Sequence, residues 1–353
     1  MFRVRLSGAI RRLRLGRVGL MRRWAGILAA AYLAVTVTTA LLLWGFGDAW
    51  WPATFLLFSG RWVLLLPLVL LVPLGLLLLH PRALLTLGTG ALVVVFPIMG
   101  LRVHRVPSDR DILLTPGHLR IVTLNTSNSG RIAHDLPALL EEWKPDVVAF
   151  QECGSSVAEA VRGLRGWHRD ANDPLCLLSR FPIARAEAMD RSDLAGIHAA
   201  SAIGGAGHVV RYTLQLPGGA VRFTNIHLET ARKGFEGAMR GEVRQLLGNT
   251  ELRAIEARLA SRWAADGGAP DLVAGDFNTP VESRIYRSAW GSLRNAFSSV
   301  GSGFGYTRHN GWISVRIDHV LVGSGWRPLR AVVGEDVGSD HLPLIVDIAP
   351  RHR

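Results

Sequence analysis

Three uncharged apolar runs fill most of the stretch between residues 24 and 101: Trp24 to Trp44, Trp62 to Leu79 and Ala83 to Leu101. The first alone is about 20 residues, enough to cross a hydrocarbon layer roughly 30 Å thick. Pro67 and Pro73 interrupt the second, which a membrane helix packed against neighbours tolerates. Trp44, Trp50, Trp51 and Trp62 fall where a water–lipid boundary would lie, and Ala53 to Phe58 either lengthens the second span or rests at that boundary. A buried helical core would not concentrate so much hydrocarbon in so little chain. A cleaved signal peptide would fit the basic start, but the run is long and two more follow it, so a retained anchor is the expectation.

Charge gives this region a direction. Residues 1–23 carry eight arginines and no acid, and are read as a basic cytoplasmic segment. Three crossings in the transmembrane region, 24–101, then put everything after Leu101 on the outer face. Two crossings would reverse that, and the turn His80-Pro81-Arg82 carries only one charge to decide. The expectation is a multi-pass cell-membrane protein with three spans and an extracytoplasmic C-terminal domain. The formal charge of +12 is not evenly spread. Up to Pro107 there are 12 basic residues against the single acid Asp48; from Ser108 onward there are 28 basic and 27 acidic. The globular remainder is nearly neutral, which weakens any case for non-specific polynucleotide binding.

Arg102 to Gly117 reads as a linker with Pro107 and Pro116, and 118–353 as one domain. Short apolar runs there alternate with amphipathic stretches. Strands are expected at Leu119 to Leu124, Val147 to Phe150, Cys176 to Leu178, Val209 to Leu216, Val221 to His227, Leu272 to Ala274, His319 to Val322 and Leu344 to Ile348. Helices are expected at Ala133 to Trp143 and Gly241 to Ala265. Interleaving of this kind argues for an α/β domain. The two cysteines, Cys153 and Cys176, exclude a disulfide framework and a cysteine-rich zinc site. One bridge between them stays open; two buried free thiols are the plainer expectation.

Apolar strands in this domain end repeatedly in a carboxylate, amide or imidazole. The stations are Asn125, Gln151-Glu152, His227, Asp276 with Asn278, Asp318, and Asp340-His341. One strand-end Asp or His is usually a cap. Six stations in one domain point instead to a shared crevice at the strand mouths. Their donors are hard oxygens with no thiolate, which suits Mg²⁺ or Mn²⁺ rather than zinc.

Gly275-Asp276-Phe277-Asn278 and Ser339-Asp340-His341, with Gln151-Glu152 and Ile317-Asp318-His319 in the same order, resemble the endonuclease/exonuclease/phosphatase superfamily. That group includes DNase I-like nucleases, inositol-polyphosphate phosphatases and neutral sphingomyelinases, and the resemblance spans Leu119 to Ile348. It implies a four-layer α/β sandwich, here preceded by the helical transmembrane region. It also implies that Glu152 is the principal metal ligand, with Asn125 beside it and Asp340 near the metal. His341 would be the general base or stabilise phosphate charge, oriented by Asp318. Asp276 would position or deprotonate the attacking water, and Asn278 and His227 would hold non-bridging phosphate oxygens. Chemically, hydrolysis needs an aligned water and positive charge against the developing oxyanions.

Two departures narrow the match. Ser127 stands where some nucleases of the family carry an acid as a metal ligand, which favours a one-metal site centred on Glu152; His227 stands where abasic-site nucleases place Tyr. Arg316 is a candidate for substrate phosphate, with a surface salt bridge equally open. His104, His118, His198, His208 and His309 are not expected to be ligands, and Ser179-Arg180-Phe181-Pro182 reads as a structural strand-turn. The expected activity is a Mg²⁺/Mn²⁺-dependent phosphoesterase acting on a phosphate ester or diphosphate. Three spans near the site and a nearly neutral domain point to a lipid-linked or headgroup phosphate at the bilayer; the resemblance to membrane-anchored bacterial members of the family implies a polyprenyl diphosphate-like one, with no obligate protein partner implied. An extracytoplasmic DNase- or RNase-type endonuclease is the alternative, for which Arg232, Lys233, Arg240 and Arg244 would supply a local basic patch. A catalytically dead binding module is disfavoured because such a site should have lost some of its stations.

Overall fold

Whether a run of apolar residues becomes one helix or several depends on where its backbone donors are lost. A computed structural model of the chain describes residues 2–172, 174–192, 194, 207–268 and 270–351; His198 lies outside them. Two compact units emerge: residues 1–46 with 60–101, and residues 47–59 with 102–353.

In the N-terminal unit, helix α1 (Phe2–Leu41) carries the basic segment and most of the first apolar run, and a π-helical turn, Leu42–Phe46, completes the run. Two helical stretches, Gly16–Ala49 and Pro81–Ile98, are long and apolar enough to cross a membrane. The second expected span is not one helix. It forms a 3-10 turn, Arg61–Leu65, and then only Leu68–Leu77. Ten α-helical residues rise about 15 Å, half the hydrocarbon thickness. Pro67, which lacks an N–H, sits at the break, and Pro73 lies inside the short helix. The count reaches three only if the broken pair Trp51–Leu57 and Arg61–Leu77 is taken as one span. Ala29, Tyr32, Ala83 and Leu87 form the buried seam of this unit, with Leu68, Leu71 and Val72 against it.

The C-terminal unit is built from two six-stranded sheets. The first contains β1 (Leu119–Asn125), β2 (Val147–Gln151), β3 (His168–Asn172), β4 (Leu175–Ser179), β13 (Trp326–Val333) and β14 (Leu344–Pro350), in the order β13-β14-β1-β2-β4-β3. The second contains β5 (Ile183–Ala188), β6 (His208–Leu216), β7 (Gly219–His227), β8 (Leu272–Asp276), β9 (Arg294–Asn295) and β12 (Asp318–Val322), in the order β5-β6-β7-β8-β12-β9. A separate hairpin pairs β10 (Arg308–Asn310) with β11 (Ile313–Val315).

Alternation along the strands sets the layers. Ile121, Leu272, Ala274, Val320 and Val322 face a core between the sheets. Val122, Leu124 and Val148 turn outward onto the helix Gly130–Trp143. Val273, Ile226 and Leu321 turn the other way onto Val243–Ala264 and Arg284–Trp290. Helix, sheet, sheet, helix is the four-layer sandwich that the family resemblance implies, and the α/β interleaving read from the strand and helix pattern is what builds it. The expected linker is not featureless: Asp109–Leu113 is a helix capped by Ser108, and Arg102 bridges to Gly303. Residues 47–59 pack on this unit as well. Asp48 accepts hydrogen bonds from the Ser283 hydroxyl and from the backbone N–H of Arg284 (2.8 Å) and Ile285 (3.2 Å), capping the helix that starts there.

Between the sheets, Gln151 donates to the Asn225 side chain at 2.7 Å, and Asn225 donates to the carbonyls of Phe150 and Cys176. This closed polar link ties the sheets together immediately behind the strand mouths. The free-thiol expectation is corrected here: Cys153 and Cys176 are disulfide-bonded. Antiparallel pairing of β2 with β4 puts Phe150 opposite Cys176. The turn after Gln151 then brings the Cys153 Cα to 5.8 Å from that of Cys176, within bridging range.

Candidate active site

Strand register assembles the site. In parallel β7 and β8, His227 lies opposite Asp276; in antiparallel β8 and β12, Asp276 lies opposite Asp318. In parallel β1 and β2, Asn125 lies opposite Gln151, so Glu152 follows at the same edge. Gly275 has φ +144°, and a Cβ there would stand 1.9 Å from the Ile226 carbonyl oxygen, so only glycine lets β7 and β8 deliver Asp276. Glu152 (φ 47°) and Asn278 (φ 49°) both occupy left-handed backbone, a conformation that concentrates at functional sites.

The side chains meet around Asp276. Its Oδ2 accepts from Asn125 Nδ2 at 3.1 Å and its Oδ1 from the Asn278 N–H at 2.8 Å. His227 Nε2 is 3.7 Å away and His341 Nε2 3.8 Å. His341 Nδ1 in turn bonds Asp318 Oδ2 at 2.8 Å. Asn125 Nδ2 also reaches Glu152 Oε1 at 3.1 Å, which lies 3.7 Å from His227 Nε2. Asn278 is held by its own amide on the Leu228 carbonyl (2.7 Å) and by Arg253 Nη2 on its carbonyl (3.1 Å).

The electrostatics follow from burial and crowding. Burial and the neighbouring Asp318 raise the pKa of Asp276, against the pull of the two histidines. Burial alone would depress His341, but the carboxylates of Asp318 and Asp276 outweigh it and raise its pKa to about 9. This imidazole is held between two acids, which favour its protonated form. Asp340 is raised by burial and lowered more by the Ser127 hydroxyl and the Arg308 charge, for a net decrease. Arg308 Nη2 pairs with Asp340 at 2.7 Å.

The stations open onto a cavity of about 410 Å³, walled by Glu152, His227, Asp276, Asn278, Asp340 and His341 and, on its cationic side, by Arg232, Lys233 and Arg308. Asn125, Gln151 and Asp318 are not in the wall; Asp318 stands behind His341. Arg316 does not arrive. It is 5% exposed, donates to the Ser298 hydroxyl at 3.1 Å and stacks over Phe297, because β12 begins two residues later and turns it into the helix Ala296–Val300. Sequence reasoning missed Arg308. The Asn310-Gly311 pair beside it is a hairpin signal, and the bridge between Arg308 and His341 fastens that hairpin to the site. The excluded histidines stay outside the cavity wall: His118 bonds Asp347, His104 the Gly301 carbonyl, His309 the Ser314 hydroxyl, and His208 lies beside Arg191.

A family model described as the endonuclease/exonuclease/phosphatase family matches residues 122–341, well over half of the chain and every station from Asn125 to His341. The chain belongs to this family. Among solved structures, a Bacteroides vulgatus member of the endonuclease/exonuclease/phosphatase family is 16% identical with a TM-score of 0.50, covering 66% of this chain and 99% of that one. D. rerio TDP2, complexed with a single-strand DNA product, is 15% identical with a TM-score of 0.49 (65% and 98% covered). The mannosyl-6-phosphatase Bt3783 of Bacteroides thetaiotaomicron is 15% identical with a TM-score of 0.47 (65% and 99%). At such identity the likeness is one of fold. No curated protein matched the chain.

Members of this family are hydrolases of phosphoester bonds that depend on a divalent metal. The residues present fit such an ion. Glu152 offers a carboxylate with 45% of its side chain exposed, next to Asp276, in a donor set of oxygens and imidazoles. The tightest acid–imidazole group among the described residues is Asp276, Asp318 and His341, whose ligand atoms lie within 4.8 Å of one another. Its 2.8 Å contact is a hydrogen bond that a cation would have to break, so Glu152 is the better anchor. Asn125 turns its carbonyl oxygen to the Ser127 N–H, and so serves the two carboxylates as an orienting donor.

Proposed function

We propose that the chain is a membrane-anchored phosphoesterase that hydrolyses a phosphate ester or diphosphate carried on a lipid, polyprenyl diphosphate-like, on the outer face of the cell membrane. The observation that carries the reading is His341, paired with Asp318 and set 3.8 Å from the buried carboxylate of Asp276, in a cavity with a cationic wall.

In this reading Asp276 orients the attacking water and takes its proton as the oxygen bonds to phosphorus. His341 gives its Nε2 proton to the oxygen of the breaking P–O bond, and Asp318 fixes its tautomer. His227 and Asn278 hold non-bridging oxygens, and Arg308, Arg232 and Lys233 draw the phosphate in. A divalent ion, Mg²⁺ or Mn²⁺, at Glu152, with Asn125 and Asp340 nearby, would add positive charge against the same oxygens. The eight arginines of residues 1–23 support a cytoplasmic N-terminus, and the Cys153–Cys176 bridge suits an oxidising compartment for the site.

The test is the full chain in detergent with Mg²⁺ or Mn²⁺, assayed on undecaprenyl diphosphate, sphingomyelin and plasmid DNA. Release of phosphate from the diphosphate lipid, abolished in Glu152→Ala, is expected. Plasmid nicking without release of lipid phosphate would sink the lipid reading, and wild-type rates in Glu152→Ala would remove the mechanism.

A further inference from the structure

A second cavity, of about 340 Å³, adjoins the catalytic one within the C-terminal unit and shares four wall residues with it: Thr230, Arg232, Asn278 and Arg308. Its character is the opposite. Phe58, Phe235, Met239, Ile313, Val315 and Ile317 give it an aliphatic and aromatic lining. Three separate parts of the chain contribute. Phe58 comes from the segment 47–59 that lies between apolar runs. Phe235 and Met239 come from the helix Arg232–Met239, and the β10–β11 hairpin and the residues just after it supply the rest. The wall is built rather than incidental. The Phe235 ring packs tilted against Phe55 with centroids 5.0 Å apart and edge-to-face against Phe58 at 5.4 Å, and the Arg253 guanidinium lies 5.3 Å over the Phe58 ring. Arg253 is the residue that holds the Asn278 carbonyl, so the groove and the catalytic loop share one support.

The far rim is apolar and open. Met239 is 75% exposed and Ile313 38%, and Trp312, next to it at the tip of the hairpin, is 77% exposed. Large side chains left in water beside a concave apolar surface mark a place where hydrocarbon is meant to sit. Cationic and oxyanion-binding groups at one end and hydrocarbon at the other describe an amphiphile with a phosphorylated head.

We infer that this groove binds the hydrocarbon chain of the substrate whose phosphoryl group occupies the catalytic cavity. The inference rests on the phosphoesterase reading above and adds to it a chain subsite with named walls. The arginines shared by the two cavities hold the head at the junction. The chain runs past Phe235 and Phe58 and leaves over Met239 and Ile313.

The test compares isoprenyl diphosphates of five, ten and fifteen carbons on the full chain with Mg²⁺, at one detergent concentration throughout. The readout is the ratio of kcat/KM for the fifteen-carbon to the five-carbon substrate. Each buried methylene favours binding, so a wild-type ratio of roughly tenfold or more is expected. Met239→Glu and Ile313→Glu place a carboxylate at an exposed rim without disturbing a core, and each should bring the ratio near unity. A wild-type ratio already near unity, with the five-carbon compound hydrolysed, overturns the groove while leaving the phosphoesterase reading intact. A high ratio that survives both substitutions puts the chain elsewhere and overturns it too. Equal losses on plasmid DNA and on the fifteen-carbon substrate would assign the groove to a nucleotide instead. Hydrolysis of none of the three overturns the groove, and if undecaprenyl diphosphate and sphingomyelin are left intact as well, the phosphoesterase reading goes with it.

Discussion

Asp347 and Asp276 are both 1% exposed at the side chain, and the C-terminal unit treats them in opposite ways. Asp347 lies opposite Arg120 and Arg330 on the neighbouring strands β1 and β13. It bonds Arg120 at 2.7 Å, Arg330 at 2.9 Å and His118 at 2.7 Å. Burial would raise its pKa, but these hydrogen bonds and charges lower it to about 2. Asp276 has amide donors and two imidazoles at 3.7 and 3.8 Å, faces Asp318 across the ladder, and is pushed upward. A compensated carboxylate belongs to the fold. An undercompensated one keeps chemical potential in reserve, which is what a proton acceptor beside a cation site needs.

The largest effect that separates them should come from Asp276→Asn. It keeps the shape and removes the acceptor, so at least roughly a thousandfold loss of kcat is expected. Stability at neutral pH should stay within about 1 kcal/mol of wild type, because the substitution also relieves repulsion with Asp318. Initial rates and thermal melts on one preparation decide it. Normal turnover, or collapse of the fold, would erase the distinction.

Asp347→Asn should do the reverse. Leaving Arg120 and Arg330 without their shared carboxylate costs about 3 kcal/mol, with kcat per folded molecule unchanged. The sign of the pH dependence follows from the lowered pKa. The stabilisation is complete above the unfolded value of 3.8 and is lost as pH falls through about 2, so roughly 2 kcal/mol should vanish across that window. Denaturant titrations along that acid limb should show the loss in wild type and not in Asp347→Asn. Asp276, being raised, works the other way: acid favours its folded, protonated form, so Asp276→Asn should leave this limb in place.

The two acids also differ in how far the sequence disclosed them. Asp276 sits in Gly-Asp-Phe-Asn at the end of an apolar run, a local pattern, and all six stations were readable for that reason. Asp347 lies inside Leu344–Pro350 and takes its meaning only from partners that precede it by 227 and by 17 positions. Strands with a continuous apolar face were legible. His168–Asn172 and Ile183–Ala188 were not, since the first carries alternating charge and the second is largely exposed at a sheet edge. The disulfide depended on the register of β2 against β4. The attachment of residues 47–59 depended on Asp48, an isolated acid whose role as the cap of a distant helix no local pattern announces. Prolines 67 and 73 were noticed in the sequence, but the effect of the first was underestimated: Pro67 sits at the break that leaves ten α-helical residues, whereas Pro73 is accommodated within them.

The smallest effect sharpens the comparison in the basic residues. Arg316, two residues before Asp318, was a candidate for substrate phosphate with a surface salt bridge equally open; Arg308 reaches the cavity because a hairpin folds it back beside His341. Arg316 is packed over Phe297 and bonded to Ser298, so Arg316→Ala should lower the melting temperature while leaving KM alone. Arg308→Ala should raise KM roughly tenfold with kcat nearly constant, the mark of lost uniform binding to the phosphate. Its side chain is about one-fifth exposed and its main partner, Asp340, is 46% exposed, so the melt should hardly move. Steady-state kinetics and melts on the two variants give a crossed pattern if both assignments hold. A KM effect in Arg316→Ala, or none in Arg308→Ala, would mean that sequence proximity had located the phosphate better than the hairpin does.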